Sequence, residues 1–540
     1  MSLIKITAFN GMTPRTDARL LEANMAQSAV NSKLQNGSIK PYKAPGIIKA
    51  FSKTGTIKSI YRFGQSVVGD ADYWFQWTTD VNVVRGAVTG DTYERTYWTG
   101  DGVPKMTTNG IALTGGTSYP MNSYTLGIPD PFDDPTASLS GTGEGVAESR
   151  VYIYTYVSEF GEEGVPSNPS NSVAVQVGQS VVLSGMSAGP TGSYHIVTKR
   201  IYRSVMGTGA TDYLFVAEIP VANDTFTDDV LAASLGEVCP SKNWSPPVAQ
   251  LSGLTIMANG IMAGFYDKDL YFSEAYRPHA WPMAYNLQTD YPIVGIGAFG
   301  SSLLVTTTGN PYILSGTDPS GMTMTKGEFQ QACVSKRSVV EMGGGVMYAS
   351  PDGLVLVDGS GINLLTRSIM TKEDWQAYVP SSITASHLDG RYYAFFNTGT
   401  RTGCFVLDMT GDGAQFWESD QYATAAYNDI RADSLFVAHD TNICKWDSGS
   451  TDMSYVWHSK IFVLPKPENM GVAQVYATSY PLTFKAYAGG ALVHTHTVAN
   501  DRPFKLPSGV KNKEWEIEVA GTKTINAIYL AGSAQELKQA

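Results

Sequence analysis

The fold class is decided by the stretch Gly345-Val-Met-Tyr-Ala-Ser-Pro-Asp-Gly-Leu-Val-Leu-Val357. Two apolar runs, rich in residues that favour strands, flank the turn formers Ser-Pro-Asp-Gly. An Asp-Gly pair between apolar runs favours a tight turn between antiparallel strands. The stretch therefore predicts a β-hairpin.

Four other segments share this outline of a β run, a turn with Gly or Asp, and a second β run. They are Gly260 to Phe272, Ser302 to Leu314, Arg391 to Leu407 and Ser434 to Trp446. The five segments recur at about 40 to 45 residues, the blade spacing of a β-propeller. The repeat predicts the main propeller blades within residues 250–458. The aromatic strands between Ile57 and Met106 would supply one or two more blades.

The N-terminal region has a different pattern. After the loop formers Asn10-Gly11 and Pro14, small and apolar residues from Leu20 to Leu34 fit one short helix that ends near Gly37. We therefore predict an N-terminal arm with a short helix at residues 1–50, followed by the first propeller strands at residues 51–125.

Two Pro-rich connectors, Tyr124 to Pro135 and Trp244 to Pro247, bracket a block of short alternating strands that begins at Val151. This block predicts an inserted fibronectin-like β-sandwich at residues 136–240. Alternating strands after Ser459 predict a C-terminal β-sandwich at residues 459–540. The expected fold is all-β: a β-propeller with an inserted fibronectin-like β-sandwich, a C-terminal β-sandwich and a short N-terminal helix.

Composition limits the possible functions. The net charge of −11 disfavours a protein that neutralises DNA phosphates, because phosphate binding needs clustered Lys and Arg. The four cysteines, Cys239, Cys333, Cys404 and Cys444, lie far apart and predict free buried thiols in a protein made in a reducing cytoplasm. The N-terminus lacks the apolar core of a signal peptide, and no apolar run is long enough to span a membrane, so membrane insertion is not expected.

The motif Gly185-Met-Ser-Ala-Gly189 has the G-x-S-x-G pattern of a hydrolase nucleophile. That nucleophile needs a strand-to-helix turn, whereas Pro190 and Thr191-Gly192 follow here. A loop in the sandwich is the preferred interpretation.

Two Asp-containing turns resemble known ligand motifs only in part. Ser350-Pro-Asp-Gly353 is similar to part of a sialidase Asp-box, but a hairpin turn explains it. Asp408 to Gly413 has a faint calcium-loop pattern, with Asp412 as the second carboxylate and Ser419 where a bidentate Glu would stand. A turn is again preferred.

The pair His494 and His496 would place both rings on one side of a strand, and the solvent face of a sheet is the preferred location. The aromatic cluster from Tyr73 to Trp77 is interpreted as core. No catalytic, cofactor-binding or metal-binding residues are predicted, and no cofactor is expected.

In order along nearly the whole chain, a set of short motifs resembles the tail nozzle or tail-tube-like structural proteins of short-tailed, podovirus-like bacteriophages. The set comprises Phe9 to Gly11 with Pro14-Arg15, Ala26 to Gly37, Leu126 to Pro129, Tyr154 to Gly164 with Pro166-Ser167, Arg200 to Arg203, Phe272 to Pro282, Cys333 to Ser338, Tyr348 to Gly353, Leu506 to Gly509 and Leu530 to Ser533.

This resemblance implies a structural virion protein and not an enzyme. It implies a viral tail protein that forms the tail nozzle ring, a homohexamer with a DNA channel, attached below the portal and adaptor proteins. Expected partners are other copies of the chain, the tail adaptor and portal, and tail fibres or spikes, with transient passage of double-stranded DNA during viral genome ejection. The expected location is the virion tail, assembled in the host cytoplasm.

An alternative function is that of a propeller-type glycan-binding or glycan-cleaving tail protein. It would require a pocket lined by aromatics and paired carboxylates. A third possibility, a secreted adhesin, is weakened because no leader is visible.

Overall fold

The computed structural model describes residues 3–34, 36–64, 69–190, 193–206, 211–411 and 413–538. Strands hold 46% of the residues and helices 7%, so the predicted all-β class is confirmed. In the described ranges the α-helices are short: α1 (Asn109–Ala112), α2 (Lys372–Gln376) and α3 (Ala534–Leu537). No helix in these ranges has the length and apolar character that crossing a membrane requires.

The chain divides into two compact units. Unit 1 comprises Met1–Thr78, Thr306–Pro311 and Gly327–Ala540, and unit 2 comprises Thr79–Val305 and Tyr312–Lys326. The domain limits predicted from the sequence remain predictions.

Unit 1 begins with seven strands. They are β1 (Leu3–Ile6), β2 (Ala26–Val30), β3 (Ser32–Lys33), β4 (Lys40–Pro41), β5 (Gly46–Ala50), β6 (Ser59–Arg62) and β7 (Trp74–Trp77). The β7 strand is buried along its whole length, and the Trp74 ring packs edge-on against Phe436. The prediction that this aromatic cluster belongs to the core is confirmed.

Unit 2 contains three four-stranded antiparallel sheets and the strands of the predicted sandwich. The first sheet joins β8 (Asn82–Arg85), β9 (Thr96–Thr99), β10 (Lys105–Thr107) and β11 (Tyr124–Thr125). The second joins β20 (Ser252–Ile256), β21 (Met262–Tyr266), β22 (Asp269–Phe272) and β23 (Leu287–Gln288). The third joins β24 (Ile293–Phe299), β25 (Ser302–Thr307), β26 (Tyr312–Ser315) and β27 (Thr323–Lys326).

In the sequence, the strands of the predicted sandwich lie between those of the first two sheets. They are β12 (Thr136–Ser140), β13 (Glu144–Arg150), β14 (Tyr152–Ser158), β15 (Val173–Val177), β16 (Ser180–Ser184), β17 (Ile196–Met206), β18 (Thr211–Pro220) and β19 (Phe226–Asp228). They form the sheets β12-β16-β19, β13-β15 and β14-β17-β18. Their shared core contains Tyr152, Tyr154, Leu183 and Ile201, all fully buried.

The rest of unit 1 follows the same plan before its topology changes. A four-stranded sheet comes first, with the strands β28 (Val340–Glu341), β29 (Gly345–Ala349), β30 (Leu354–Asp358) and β31 (Gly361–Leu364). The next four strands, β32 (Thr384–Leu388), β33 (Arg391–Asn397), β34 (Thr402–Asp408) and β35 (Gln415–Ser419), pair in sequence order and form one end of a ten-stranded sheet. The strands β36 (Ala425–Asp429), β37 (Ser434–His439) and β38 (Asn442–Lys445) form a further sheet, whose fourth strand is β5 from the N-terminal region.

The C-terminal strands form two sheets around the largest core. They are β39 (Tyr455–Ser459), β40 (Phe462–Glu468), β41 (Val472–Ala477), β42 (Leu482–Ala488), β43 (Ala491–Val498), β44 (Phe504–Lys505), β45 (Asn512–Gly521) and β46 (Ile525–Ala531). One sheet has the order β1-β46-β41-β44, and the other continues from β35 through β2, β39, β45 and β42 to β43. Trp417, Trp457 and Trp515 lie in the shared core.

The five repeated segments of the sequence occupy equivalent places. Four of them supply the second and third strands of a four-stranded sheet, namely β21-β22, β25-β26, β29-β30 and β37-β38. The fifth supplies β33-β34, the second and third strands at one end of the ten-stranded sheet. Within unit 2 the first strand β20 lies against the first strands β8 and β24. Within unit 1 β32 lies against β28 and β36, and β36 lies against β6. First strands of successive sheets are therefore neighbours within each unit.

The prediction of a short N-terminal helix is wrong. In place of a helix the segment contains β2, β3 and β4, and β2 pairs with β39 in antiparallel and with β35 in parallel orientation. Partners from the far end of the chain bury Ala26 and Ala29, so tertiary pairing overrides the weak helical pattern.

Gly11 tests how tightly the N-terminal segment is held. A Cβ at Gly11 would overlap the carbonyl oxygen of Phe416, whereas a Cβ at Gly344 would have no neighbour within 4 Å. We expect Gly11→Ala to lower the free energy of unfolding by about 2 kcal/mol, because overpacking forces backbone shifts. Gly344→Ala should change it by less than about 0.5 kcal/mol. Urea unfolding followed by tryptophan fluorescence measures both, and equal effects of the two variants would contradict the packing argument.

Candidate functional site

A group of charged side chains comes together within unit 2. Arg95 precedes β9, Glu162 and Glu163 follow β14, Arg200 lies on β17, and Arg277 and His279 lie in the loop after β22. We call these six residues the ionic junction. They line a cavity of about 350 Å³.

Glu163 is the most fully bonded member of the ionic junction. Its side chain is 4% exposed, and Oε1 accepts hydrogen bonds from Thr155 Oγ1 at 2.8 Å and Tyr202 OH at 2.6 Å. Its Oε2 accepts from Arg200 Nη1 at 3.0 Å. A buried carboxylate is tolerated when paired and hydrogen-bonded in this way. Burial, followed by the charge of Glu163, raises the pKa of the Tyr202 hydroxyl, so that group stays a donor.

Glu162 connects the first sheet of unit 2 to the sandwich. Arg95 Nη1 donates to its Oε1 at 3.1 Å, while Arg95 Nε donates to Asp91 at 2.8 Å. Burial raises the pKa of Glu162, but His195, His279 and Arg95 together outweigh burial and hold it below its usual value. Glu162 is therefore an ionised anchor at neutral pH.

His279 is buried without a hydrogen-bond partner. It is 8% exposed, and neither ring nitrogen meets a partner among the described residues. Its ring packs edge-on against Trp244 at 5.7 Å, and the Arg277 guanidinium lies 4.8 Å from the same Trp244 ring centroid. Burial lowers the pKa of His279 to about 4, with Arg277 and Arg95 acting in the same direction and Glu162 opposing. The imidazole is therefore neutral at neutral pH.

The charged pairs of the ionic junction hold segments of unit 2 together, and Glu163 has no carboxylate oxygen left for other chemistry. Both oxygens of Glu163 are used in hydrogen bonds, and the charge of Glu162 is paired with Arg95. A general base needs a free carboxylate oxygen within reach of a substrate proton. The geometry therefore fixes the β8-β9 turn to the loop after β14, and that loop to β17, while the loop after β22 lines the same cavity.

Sequence reasoning did not identify the ionic junction as a site. The available signal was the pair Glu162-Glu163 in a Gly-bounded turn directly after a wholly buried strand. Three motifs of the family resemblance contribute to it: Tyr154 to Gly164, Arg200 to Arg203, and Phe272 to Pro282.

The G-x-S-x-G motif lies in a loop after β16, as predicted for its described residues. Ser187 Oγ is 2.6 Å from Tyr156 OH and 3.2 Å from Tyr154 OH. Residues Thr191 and Gly192 lie outside the described residues. The serine hydroxyl is thus bonded to two tyrosines of the sandwich core.

The two Asp-containing turns are hairpin turns. Ser350 to Gly353 connects β29 and β30, with Ser350 Oγ donating to Gly353 O at 2.8 Å. Asp408 lies at the end of β34 and accepts from Arg391 Nε at 2.7 Å and from Thr410 Oγ1 at 2.6 Å. Asp412 of the calcium-like pattern lies outside the described residues. In the part of the chain that the structure describes, no group of three or more His, Cys, Asp or Glu side chains could hold a metal ion.

The two histidines of β43 share one face, as predicted, but the predicted solvent face is wrong. Both are half-buried, their rings stack at 5.8 Å, and His496 stacks on Phe504 at 4.1 Å. Thr495 and Thr497 take the exposed face, because the same register that buries Val498 turns the histidines inward. All four cysteines are free and buried, as the sequence predicted.

Comparisons with known proteins give no family. No family model and no curated protein matches the sequence. Solved structures do match, among them an extracellular domain assigned to a hybrid two component system of B. thetaiotaomicron, with 9% identity and a TM-score of 0.25 over 88% of this chain. Another match is PorZ, a surface component of the type-IX secretion system of Porphyromonas gingivalis, with 10% identity and a TM-score of 0.24 over 89% of this chain and 82% of that chain. The first match spans 50% of the neighbour's own length. At these scores nothing known of those proteins is transferred to this one.

Breaking the Glu163 network should destabilise unit 2. We expect Glu163→Gln to lower the free energy of unfolding by about 3 kcal/mol, because it removes the buried negative charge that faces Arg200 and turns one of the two acceptor oxygens into a donor amide. The same substitution at the exposed Glu237 should change it by less than about 0.5 kcal/mol. Urea denaturation of the two variants measures the difference, and a mild effect at Glu163 would show that the network is dispensable.

His279 should make stability depend on pH. Its pKa is 6.5 when unperturbed and about 4 when folded. Between these values the unfolded chain binds the proton and the folded chain does not, so stability falls as pH drops from 6.5 to 4. The full loss would be about 3 kcal/mol. Unfolding curves across this range should be flatter for His279→Gln, and parallel curves for the variant and the parent would refute the assignment.

Proposed function

We propose that this chain is a structural protein of a bacteriophage virion, one copy of the tail nozzle ring of a short-tailed phage. In this proposal six copies form a homohexamer below the portal and adaptor proteins. The ring encloses the DNA channel through which the genome is ejected. The chain acts mechanically, without catalysis and without a cofactor.

The ionic junction is the observation that carries the proposal. Three segments of the resemblance, separated in the sequence, meet there: the loop after β14, the Arg200 region of β17 and the loop after β22. If the likeness of these short motifs were due to chance, there would be no reason for the motifs to meet in space. Here Arg200 pairs with Glu163, and His279 lies in the electrostatic field of Glu162 and Arg95. The meeting of these three motifs at one cavity supports the resemblance.

The sheets support the fold expected for that family. We propose that the four-stranded sheets are blades of the propeller predicted from the sequence repeat. The first strands of successive sheets are neighbours within unit 1 and within unit 2, as inner strands of adjacent blades are. The pairing of β5 with β38 completes one sheet with a strand from the N-terminal region, and we propose that this sheet is the closing blade of the propeller.

The net charge fits a channel that lets DNA pass. A duplex is retained by clustered Lys and Arg, whose binding releases counterions. With 49 acidic and 38 basic side chains, the chain has a surplus of negative charge. We propose transient, non-specific passage of double-stranded DNA, contacts with tail fibres or spikes on the outside, and assembly into the virion tail in the host cytoplasm.

The assembly state tests the proposal. Mass photometry of the purified chain, alone and after addition of the portal-adaptor complex, should show about six copies joining as one closed ring, with an axial bore in electron micrographs. Ring closure should be concentration-dependent, because each copy offers the same two surfaces. A chain that stays monomeric with the adaptor, or that forms trimers, would overturn the proposal.

A further inference from the structure

A second cleft lies within unit 1, on the outer face of the sheet β1-β46-β41-β44. It has a volume of about 490 Å³, within the usual range for small-molecule sites. Gln474 and Tyr476 on β41 and Tyr529 on β46 line it, together with Leu537 and Lys538. Gln474 is paired directly with Tyr529 in the sheet register, and Tyr476 is two residues further, so all three side chains share one face.

Two tyrosine rings form a corner in this cleft. Their centroids are 5.7 Å apart and their planes meet at 86°. Tyr476 is 41% exposed. Because a tyrosine ring is large and apolar, this exposure leaves apolar surface uncovered. An exposed ring face beside a second ring offers an apolar platform to a ligand with a flat C–H face.

The hydrogen-bonding groups of the cleft are only partly used. Gln474 Nε2 donates to Tyr476 OH at 2.9 Å and to the Asp501 carbonyl at 2.7 Å, which occupies both amide hydrogens. Within the described part of the chain, Gln474 Oε1 receives no donor and the Tyr476 hydroxyl hydrogen has no acceptor. One free acceptor and one free donor therefore lie beside the ring corner.

This combination matches a saccharide. A sugar hydroxyl both donates and accepts, so it would satisfy Gln474 Oε1 and the Tyr476 hydroxyl, while the C–H face of the sugar ring would pack on Tyr476. Glycoside cleavage requires two carboxyl groups flanking the bond. None of the described residues that line the cleft is acidic. The chemistry on offer is binding without cleavage.

We propose that the cleft formed by Gln474, Tyr476, Tyr529 and Lys538 is a saccharide-binding site. It goes beyond the proposed role in the tail ring and does not depend on it, because a chain that fails to form rings would still present this cleft.

Saturation-transfer NMR on the full-length chain tests the proposal, with cello-, xylo-, malto-, chito-, galacturono- and hyaluronan tetrasaccharides as probes. At least one tetrasaccharide should bind with a dissociation constant below about 10 mM. Tyr476→Ala should weaken that binding by about tenfold or more, and Tyr476→Phe, which keeps the ring, by less. Tyr266→Ala is the matched control, since Tyr266 is 47% exposed on β21 of unit 2 and lies outside the cleft.

Circular dichroism and the urea midpoint of each variant show whether it is folded, and Gln474→Ala provides a second route to the same loss if Tyr476→Ala is unstable. Binding that Tyr476→Ala and Gln474→Ala weaken and Tyr266→Ala leaves intact supports the site. Absence of binding for all six probes, or binding that survives both cleft variants, overturns the proposal.

Discussion

Hydrogen bonding between the earliest and the latest strands is the constraint on which unit 1 depends. β1 pairs with β46, β2 pairs with β39, and β5 pairs with β38. Each pairing covers an edge that would otherwise expose unpaired backbone groups to another chain. Such long-range pairing gains its stabilisation only after a large loop is closed, so these contacts are expected to form late in folding. Within unit 1 the two ends of the chain therefore stabilise each other.

The fold class was predictable because the β pattern is local. The hairpin of β29 and β30 follows from the apolar runs on both sides of an Asp-Gly turn, and the same logic locates the other central hairpins. The N-terminal error has the opposite origin. Ala26 and Ala29 have the spacing of a helix face, and the strand partners that bury them, β35 and β39, lie about 390 and 430 residues away in the sequence. No local pattern carries that information.

The candidate site was unpredictable for a related reason. Arg95, Glu162, Arg200 and His279 belong to four separate segments, and no local sequence pattern shows that these segments meet. Only folding shows that Glu162 and Glu163 are buried and that arginines from other strands neutralise them. By contrast, the two motifs that match known site patterns make contacts within the fold. Ser187 bonds to two tyrosines, and Asp408 bonds to Arg391 and Thr410. A sequence motif is weak evidence for a function until its position in the fold is known.

The ionic junction and the cleft of the C-terminal sheet differ in how many of their polar groups are hydrogen-bonded within the protein. This difference separates a site that holds segments of the chain together from a site that can bind a ligand. At Glu163 both carboxylate oxygens are occupied from within the protein, so a ligand would have to displace existing bonds, each of which is costly to leave unmade in a buried site. At Gln474 the amide hydrogens are occupied while the oxygen is free, so the side chain is fixed in place and still has an acceptor to offer. A site built for binding needs this combination, because fixing the side chain beforehand lowers the entropy cost of binding. The chain thus has an ionic junction in unit 2 whose polar groups are bonded internally, and a cleft on the C-terminal sheet of unit 1 whose polar groups can still bind a ligand.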